Sequence, residues 1–117
     1  MLQQDLDAFK TAFNNLSDAV TKYNANIKDT KNPNWAKNVE SCRQKVKAAL
    51  EIATAKLNKL QTALEQFKID AMKSGKVNQG GVVTLDDDAK RKVASVEFTL
   101  RFAEQVLDEA IQITREF

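Results

Sequence analysis

The arrangement of apolar residues in three long segments restricts the possible folds of this chain more than any other feature. In each segment, apolar residues recur about three and four positions apart in alternation, which places them along one stripe of an α-helix. The first stripe comprises Leu2, Leu6, Phe9, Phe13, Leu16, Val20, Tyr23 and Ile27. The second stripe comprises Trp35, Val39, Cys42, Val46, Leu50, Ala53, Leu57, Leu60, Leu64, Phe67 and Ala71. We therefore predict three helices, over about residues 2–28, 35–74 and 85–117.

The segments between the predicted helices contain residues that are common in turns. Residues 29–34 include Pro33 between two asparagines, and both residue types favour a turn or the start of a helix. The second connection contains all three glycines of the chain. It also contains the run Val82-Val83-Thr84, which is too short to form a sheet alone, so we predict no sheet. Thr84, which is followed closely by acidic residues, is the predicted cap of the third helix.

Three long helices joined by short links favour a bundle in which the chain runs up, down and up. We predict an all-α fold class, with a single domain over residues 1–117 formed by an antiparallel three-helix, coiled-coil-like bundle. Completion of a larger bundle by oligomerisation is left open. At 1.5 Å per residue, the first helix is about 20 Å shorter than the second. The end of the second helix, with the connection over residues 67–85, should therefore project beyond the first helix. The alternative is that the second helix breaks near Gly75 and this end folds over.

The third segment differs from the other two because it carries two apolar stripes. The main stripe comprises Ala89, Val93, Val96, Leu100, Ala103, Leu107, Ala110 and Ile111. The second stripe, about 130° away around the helix, comprises Phe98, Phe102, Val106, Ile113 and Phe117. Two explanations remain open. The stripes either contact two neighbours within the bundle, or the second stripe leaves a face for a partner protein or a second copy. The candidate partner-binding residues on that face are Phe98, Phe102, Val106 and Ile113.

The side chains that most often carry out catalysis or bind metals are scarce. The sequence has no histidine and a single cysteine. Cys42 lies on the second apolar stripe, where a buried thiol behaves as a small hydrophobic group. Asp86, Asp87 and Asp88 are adjacent, but consecutive helical residues point in different directions and the spacing of a calcium-binding loop is missing. We assign no catalytic, cofactor-binding or metal-binding residue, and we do not expect an enzyme.

The net charge is small but unevenly distributed. The chain carries a formal charge of +2, less than the basic excess that is typical of nucleic-acid-binding domains. Residues 35–76 contain nine basic and four acidic side chains, whereas residues 77–117 contain five basic and eight acidic ones. This asymmetry favours complementary packing of the second and third helices.

The sequence indicates neither a membrane span nor a secretory signal. Its apolar runs are shorter than the roughly 20 residues that cross a bilayer. The first residues, MLQQDLDAF, lack the basic and apolar regions of a signal peptide. We expect a cytoplasmic protein, with export by a signal-independent route left open.

These features favour a non-enzymatic protein–protein interaction module that binds a partner through a helical face. A small inhibitor, an immunity-type antagonist, a chaperone and a regulator share this sequence pattern, so the pattern does not identify the partner. A self-assembling structural coiled-coil protein is the alternative. The charge distribution favours nucleic-acid binding less, and the sequence indicates no small-molecule substrate and no cofactor.

Overall fold

A computed structural model describes residues 2–74, 76–77, 83–84 and 87–115. The fold consists mainly of three α-helices, α1 (Leu2–Lys28), α2 (Trp35–Ser74) and α3 (Asp87–Arg115). Two strands of two residues each, β1 (Lys76–Val77) and β2 (Val83–Thr84), lie between α2 and α3. The predicted all-α fold class is confirmed, and the molecule is elongated, with extents of 71 × 20 × 19 Å.

The connection between α2 and α3 differs from the prediction in two details. Val77 pairs with Val83 in an antiparallel ladder, whereas the sequence analysis predicted no sheet. Valine and threonine favour extended backbone, and the connection is long enough to bring the two short strands together. Thr84, the predicted helix cap, lies in β2, and α3 begins at Asp87. The predicted helical positions Leu85, Asp86, Glu116 and Phe117 lie outside the described residues.

Polar contacts join α2 to α1 near both ends of α1. Near one end, the indole Nε1 of Trp35 donates a hydrogen bond of 3.1 Å to the carbonyl oxygen of Ile27. Near the other end, Nζ of Lys59 lies 3.7 Å from Oδ1 of the buried Asp5. Asn32 shapes the turn between the helices, because its side-chain oxygen accepts a hydrogen bond of 2.8 Å from the backbone N–H of Asn34.

Three contacts place α3 against both other helices. Asn24 of α1 donates a hydrogen bond of 2.9 Å from Nδ2 to Oε1 of Glu109. The rings of Phe13 and Phe102 lie 6.2 Å apart. Lys68 of α2 forms an ion pair of 3.2 Å with Glu97, which is one instance of the charge complementarity predicted for these helices. α3 therefore packs against α1 and α2 at the same time.

The core follows the predicted apolar stripes. The largest fully buried side chains are Phe9, Leu16, Val46, Leu60 and Val96, and they come from all three helices. The buried positions of α3 are Ala89, Val93, Val96, Ala103, Leu107, Ala110 and Ile113. Because several of them are alanines, the backbone of α3 can approach its neighbours closely.

The end of α2 carries exposed apolar residues. Leu2, near the start of α1, borders the same cleft as Phe67 of α2. Beyond Phe67, Ile69 and Met72 are 47% and 53% exposed. α1 has 27 residues and α2 has 40, so the part of α2 after Phe67 extends past the start of α1, as predicted. Val82, which the prediction also placed at this end, lies outside the described residues.

Candidate protein-binding face

Phe98 and Phe102 are the most exposed of the large hydrophobic residues that the structure describes. Their side chains are 71% and 68% exposed. They lie four residues apart on α3, so they occupy successive turns of the same face of the helix. A phenyl ring in water exposes a large apolar area, and two such rings on one face form a compact apolar surface.

A chain of aromatic contacts connects this surface with the core. The ring of Phe9, which is fully buried, stacks on that of Phe13 with 6.1 Å between centroids. The half-buried Phe13 in turn meets Phe102 edge to face at 6.2 Å. We call the surface formed by Phe13, Phe98 and Phe102 the aromatic face. Its inner edge is held in place by packing, since Phe13 is fixed between a core ring and an exposed ring.

The heptad positions of α3 explain why the two rings remain exposed. Val96 and Ala103 lie on the main apolar stripe of α3, which is its seam with the core, and are each 1% exposed. In the heptad defined by that seam, Phe98 and Phe102 occupy the outermost positions, which point away from neighbouring helices. Neither α1 nor α2 buries them. The contact of Glu97 with Lys68 of α2 places α2 on the other side of α3.

Ile113 does not belong to the exposed face, and this corrects the sequence analysis. Its side chain is 5% exposed and lies in the core cluster. Val106, one heptad earlier, is partly buried and packs against the same cluster. Both residues lie directly beside the core seam on the side of α1, so α1 covers them. Of the four candidate partner-binding residues, Phe98 and Phe102 lie together on the exposed face. Val106 lies at the border of that face, and Ile113 lies in the core.

The residues around the aromatic face are mostly polar and uncharged. On α3, Ser95 and Gln105 are exposed within one turn of a phenyl ring. On α1, Asn14 is exposed at the edge of the same surface. Two cationic side chains, Lys10 and Arg101, are also exposed within one turn of the rings. An apolar centre with a polar border is the composition that protein interfaces favour.

Two clefts lie at the start of α1. One, of about 450 Å³, is lined by Leu2, Gln3, Leu6, Phe67, Lys92, Ser95 and Val96. The other, of about 400 Å³, is lined by Leu2, Ala63, Gln66, Phe67 and Asp70. Lys92 and Ser95 line the first cleft, and Asp70 lines the second.

A polar cluster at the start of α2 has a local structural role. Arg43 donates hydrogen bonds of 3.0 and 2.7 Å from Nε and Nη2 to the carboxylate of Glu40. Gln44 donates a further bond of 2.9 Å to the same carboxylate. The bonds from Arg43 and then Gln44 lower the pKa of Glu40 from 4.5 to about 2. All three residues lie on neighbouring turns of one helix, so the cluster holds α2 together locally.

Cys42 is 9% exposed and lies in the core, as its position on the second apolar stripe predicts. Within the described ranges, acidic and cysteine side chains form no group of three or more that could hold a metal ion. None of the helices described has a stretch both long enough and apolar enough to span a bilayer. Comparisons of the chain with protein-family models, with curated proteins and with solved structures find no match.

Proposed function

We propose that this chain is a non-enzymatic protein–protein interaction module, an antiparallel three-helix bundle that binds another protein through the aromatic face. The exposure of Phe98 and Phe102, at 71% and 68%, is the observation that carries this proposal. Burial of a phenylalanine side chain stabilises a complex by about 1.5–3 kcal/mol. Two adjacent rings therefore provide a substantial part of the free energy of binding.

The contacts between helices support the antiparallel course of the bundle. The bond between Trp35 and Ile27 joins the start of α2 to the end of α1. The contact between Lys59 and Asp5 joins a later part of α2 to the start of α1. These two contacts favour a second helix that runs back along the first, as short links between helices also do.

The residues of the face have distinct roles in this proposal. Phe98 and Phe102 are the anchors that become buried against the partner, because aromatic side chains dominate the energetics of most interfaces. Phe13 supports Phe102 from the side through their contact of 6.2 Å. Val106 extends the apolar surface at its border. Ile113 stabilises the bundle and does not contact the partner.

Several kinds of binding protein have this geometry. An inhibitor, an immunity-type antagonist, a chaperone and a regulator each present a rigid helical face to a larger protein. The same face also suits self-assembly. Nucleic-acid binding has less support, because aromatic side chains interleaved with basic ones are its usual signature. Among the described residues, Lys10 and Arg101 are the exposed basic side chains within one turn of the aromatic face.

The double variant Phe98→Ser/Phe102→Ser tests the proposal. The tagged wild-type chain and the variant are used to capture bound proteins from the native source, and the bound proteins are quantified by mass spectrometry. The matched control is Ile69→Ser/Met72→Ser, which removes two exposed apolar side chains of α2. We expect the first variant to lose the bound proteins and the control to retain them.

Thermal unfolding of the same proteins separates binding from folding. Because both rings are exposed, the melting temperature of the Phe98→Ser/Phe102→Ser variant should stay within a few degrees of wild type at concentrations where the wild type is monomeric. A large fall in melting temperature would show that the rings contribute to the core and would contradict the proposal. Equal capture by all three proteins would contradict it as well.

A further inference from the structure

Four outward-facing residues of α3 are arranged symmetrically about residue 100. Phe98 and Phe102 lie two positions to either side of it, and Arg91 and Glu109 lie nine positions to either side. At about 100° per residue, all four lie within about 40° of one another around the helix. Along α3 the row is therefore basic, aromatic, aromatic and acidic.

We propose that the aromatic face binds a second copy of this chain, with the two α3 helices paired antiparallel about a twofold axis beside residue 100. This inference rests on the proposed function, because it names the partner of the same face. The axis brings Phe98 of one copy opposite Phe102 of the second copy, and the reverse. It also brings Arg91 opposite Glu109 at both ends of the paired helices.

Charge selects this pairing over the parallel one. In the antiparallel arrangement, each end of the interface pairs one guanidinium with one carboxylate. In a parallel arrangement, Arg91 would face Arg91 and Glu109 would face Glu109, which is repulsive at both ends. At the border of the row, Lys90 falls opposite residue 110 of the second copy, two positions or about 3 Å along the helix from Asp108, so the complementarity extends beyond the central row.

The two terminal charges are accessible to a second copy. The side chain of Arg91 is 78% exposed, and its contact with Asp88 is 3.8 Å long. Glu109 is also exposed, although one of its carboxylate oxygens accepts the bond from Asn24. Neither charge is enclosed by the bundle, so both can reach across the interface.

The neighbouring helices leave room for the approach of a second α3. The contacts of Phe13 and Asn24 place α1 on one side of the row, and the ion pair of Lys68 places α2 behind it. On the open side, Ala94 and Gln105 are exposed, and the small alanine allows the helices to approach closely. Long side chains at this border can remain in solvent when the helices pair.

The size of the surface predicts a weak dimer. From Arg91 to Glu109 the helix is about 27 Å long at 1.5 Å per residue. A strip of that length and about 20 Å wide, the width of two helices, covers about 500 Å² of each copy. The total of about 1,000 Å² lies at the lower end for specific interfaces. We therefore expect a dissociation constant in the micromolar range or weaker.

Sedimentation equilibrium over a wide range of protein concentrations tests self-association directly. We expect a reversible monomer–dimer equilibrium for the wild-type chain and for Ile69→Ser/Met72→Ser. The Phe98→Ser/Phe102→Ser variant should remain a monomer throughout. Reversal of one charge, in Arg91→Glu or in Glu109→Arg, should weaken the dimer about tenfold, because each change creates two repulsive pairs. The double reversal Arg91→Glu/Glu109→Arg should restore the wild-type affinity.

Disulfide cross-linking tests the orientation. Ala94 of one copy and Gln105 of the second copy lie close together in the antiparallel pairing, whereas two copies of Ala94 lie far apart. We expect a mixture of the variants Ala94→Cys and Gln105→Cys to form covalent dimers when oxygen with a copper catalyst oxidises the paired thiols. Either variant alone should form few covalent dimers. The buried Cys42 is present in both variants, so it does not account for a difference between them. Efficient cross-linking of Ala94→Cys with itself would indicate parallel pairing and overturn the inference.

The outcomes separate this inference from the proposed function. If the wild-type chain stays monomeric at every concentration, the second copy is not the partner. Loss of captured proteins by Phe98→Ser/Phe102→Ser would then still support an interaction face for a different protein. The antiparallel pairing would also be overturned if each single charge reversal weakened the dimer and the double reversal did not restore it.

Discussion

The rings of Phe13 and Phe102 meet at an interplanar angle of 64°, with their centroids 6.2 Å apart. This contact joins a half-buried residue of α1 to an exposed residue of α3, so it marks the point at which the core ends and the aromatic face begins. Phe9, on the inner side of Phe13, is fully buried, whereas Phe98, one turn from Phe102, is 71% exposed. Residues of the same type should therefore differ sharply in their contribution to stability.

We expect Phe9→Ala to lower the free energy of unfolding by about 3–5 kcal/mol, because it leaves a cavity in a closely packed core. Phe98→Ala should change it by no more than about 0.5 kcal/mol, since substitutions on the surface rarely do more. Chemical denaturation of both variants at a concentration where the wild type is monomeric measures the difference. Similar losses in the two variants would mean that Phe98 is buried in solution.

The buried thiol of Cys42 gives a second test of the core. In the native protein, Cys42 should react with a thiol-specific reagent only after unfolding, because its side chain is 9% exposed. Cys42→Ser should lower the free energy of unfolding by about 1–3 kcal/mol, since the buried hydroxyl needs a hydrogen-bond partner. Rapid modification without denaturant would contradict the assignment of Cys42 to the core.

The sequence alone predicted the three helices and most of the core because apolar spacing reports directly on helix faces. α1 spans Leu2–Lys28 and α2 spans Trp35–Ser74, which agrees with the predicted bounds. The sequence also placed Phe98 and Phe102 far from the main apolar stripe around the helix, but it left open whether a neighbouring helix covers them. In these cases, side-chain direction follows from position within the helix.

Other structural features depend on packing between helices, which the spacing of apolar residues along one helix does not describe. Ile113 was placed on the second stripe with the phenylalanines, but α1 covers it. Heptad positions would have distinguished them, because Ile113 flanks the seam whereas Phe102 lies outside it. The pairing of Val77 with Val83 depends on how the connection closes. Residue propensities in so short a segment do not determine that closure.

The carboxylate of Glu40 should titrate well below the usual range of a glutamate. Hydrogen bonds from Arg43 and Gln44 lower its pKa from 4.5 to about 2. Because the folded state favours the ionised form, this local stabilisation is present above about pH 4.5 and is lost as the pH falls through about 2. Nuclear magnetic resonance of the side-chain carboxyl carbon measures the titration.

The variant Arg43→Gln provides the control for this titration. It removes the two hydrogen bonds from Arg43, which contribute most to the lowered pKa of Glu40, so that pKa should rise towards 4.5. The cluster is exposed, so its contribution to global stability is small and is screened by salt. A midpoint for Glu40 that does not change in the variant would show that Arg43 is not its partner in solution.

The contrast between Ile113 and Phe102 provides the most direct test of where the core ends on α3. Ile113 is 5% exposed within the core cluster, whereas Phe102 is 68% exposed. Ile113→Ala should therefore lower the free energy of unfolding by about 2–5 kcal/mol, whereas Phe102→Ala should cost far less because it loses mainly the contact with Phe13. For the proposed dimer, the larger effect should come from the other substitution. Phe102→Ala should weaken association, whereas Ile113→Ala should leave the dissociation constant unchanged while the protein is folded. Denaturation and sedimentation of the two variants measure both quantities. If Ile113→Ala abolished the dimer without destabilising the monomer, Ile113 would belong to the interface after all, and α1 would not cover α3 at that position.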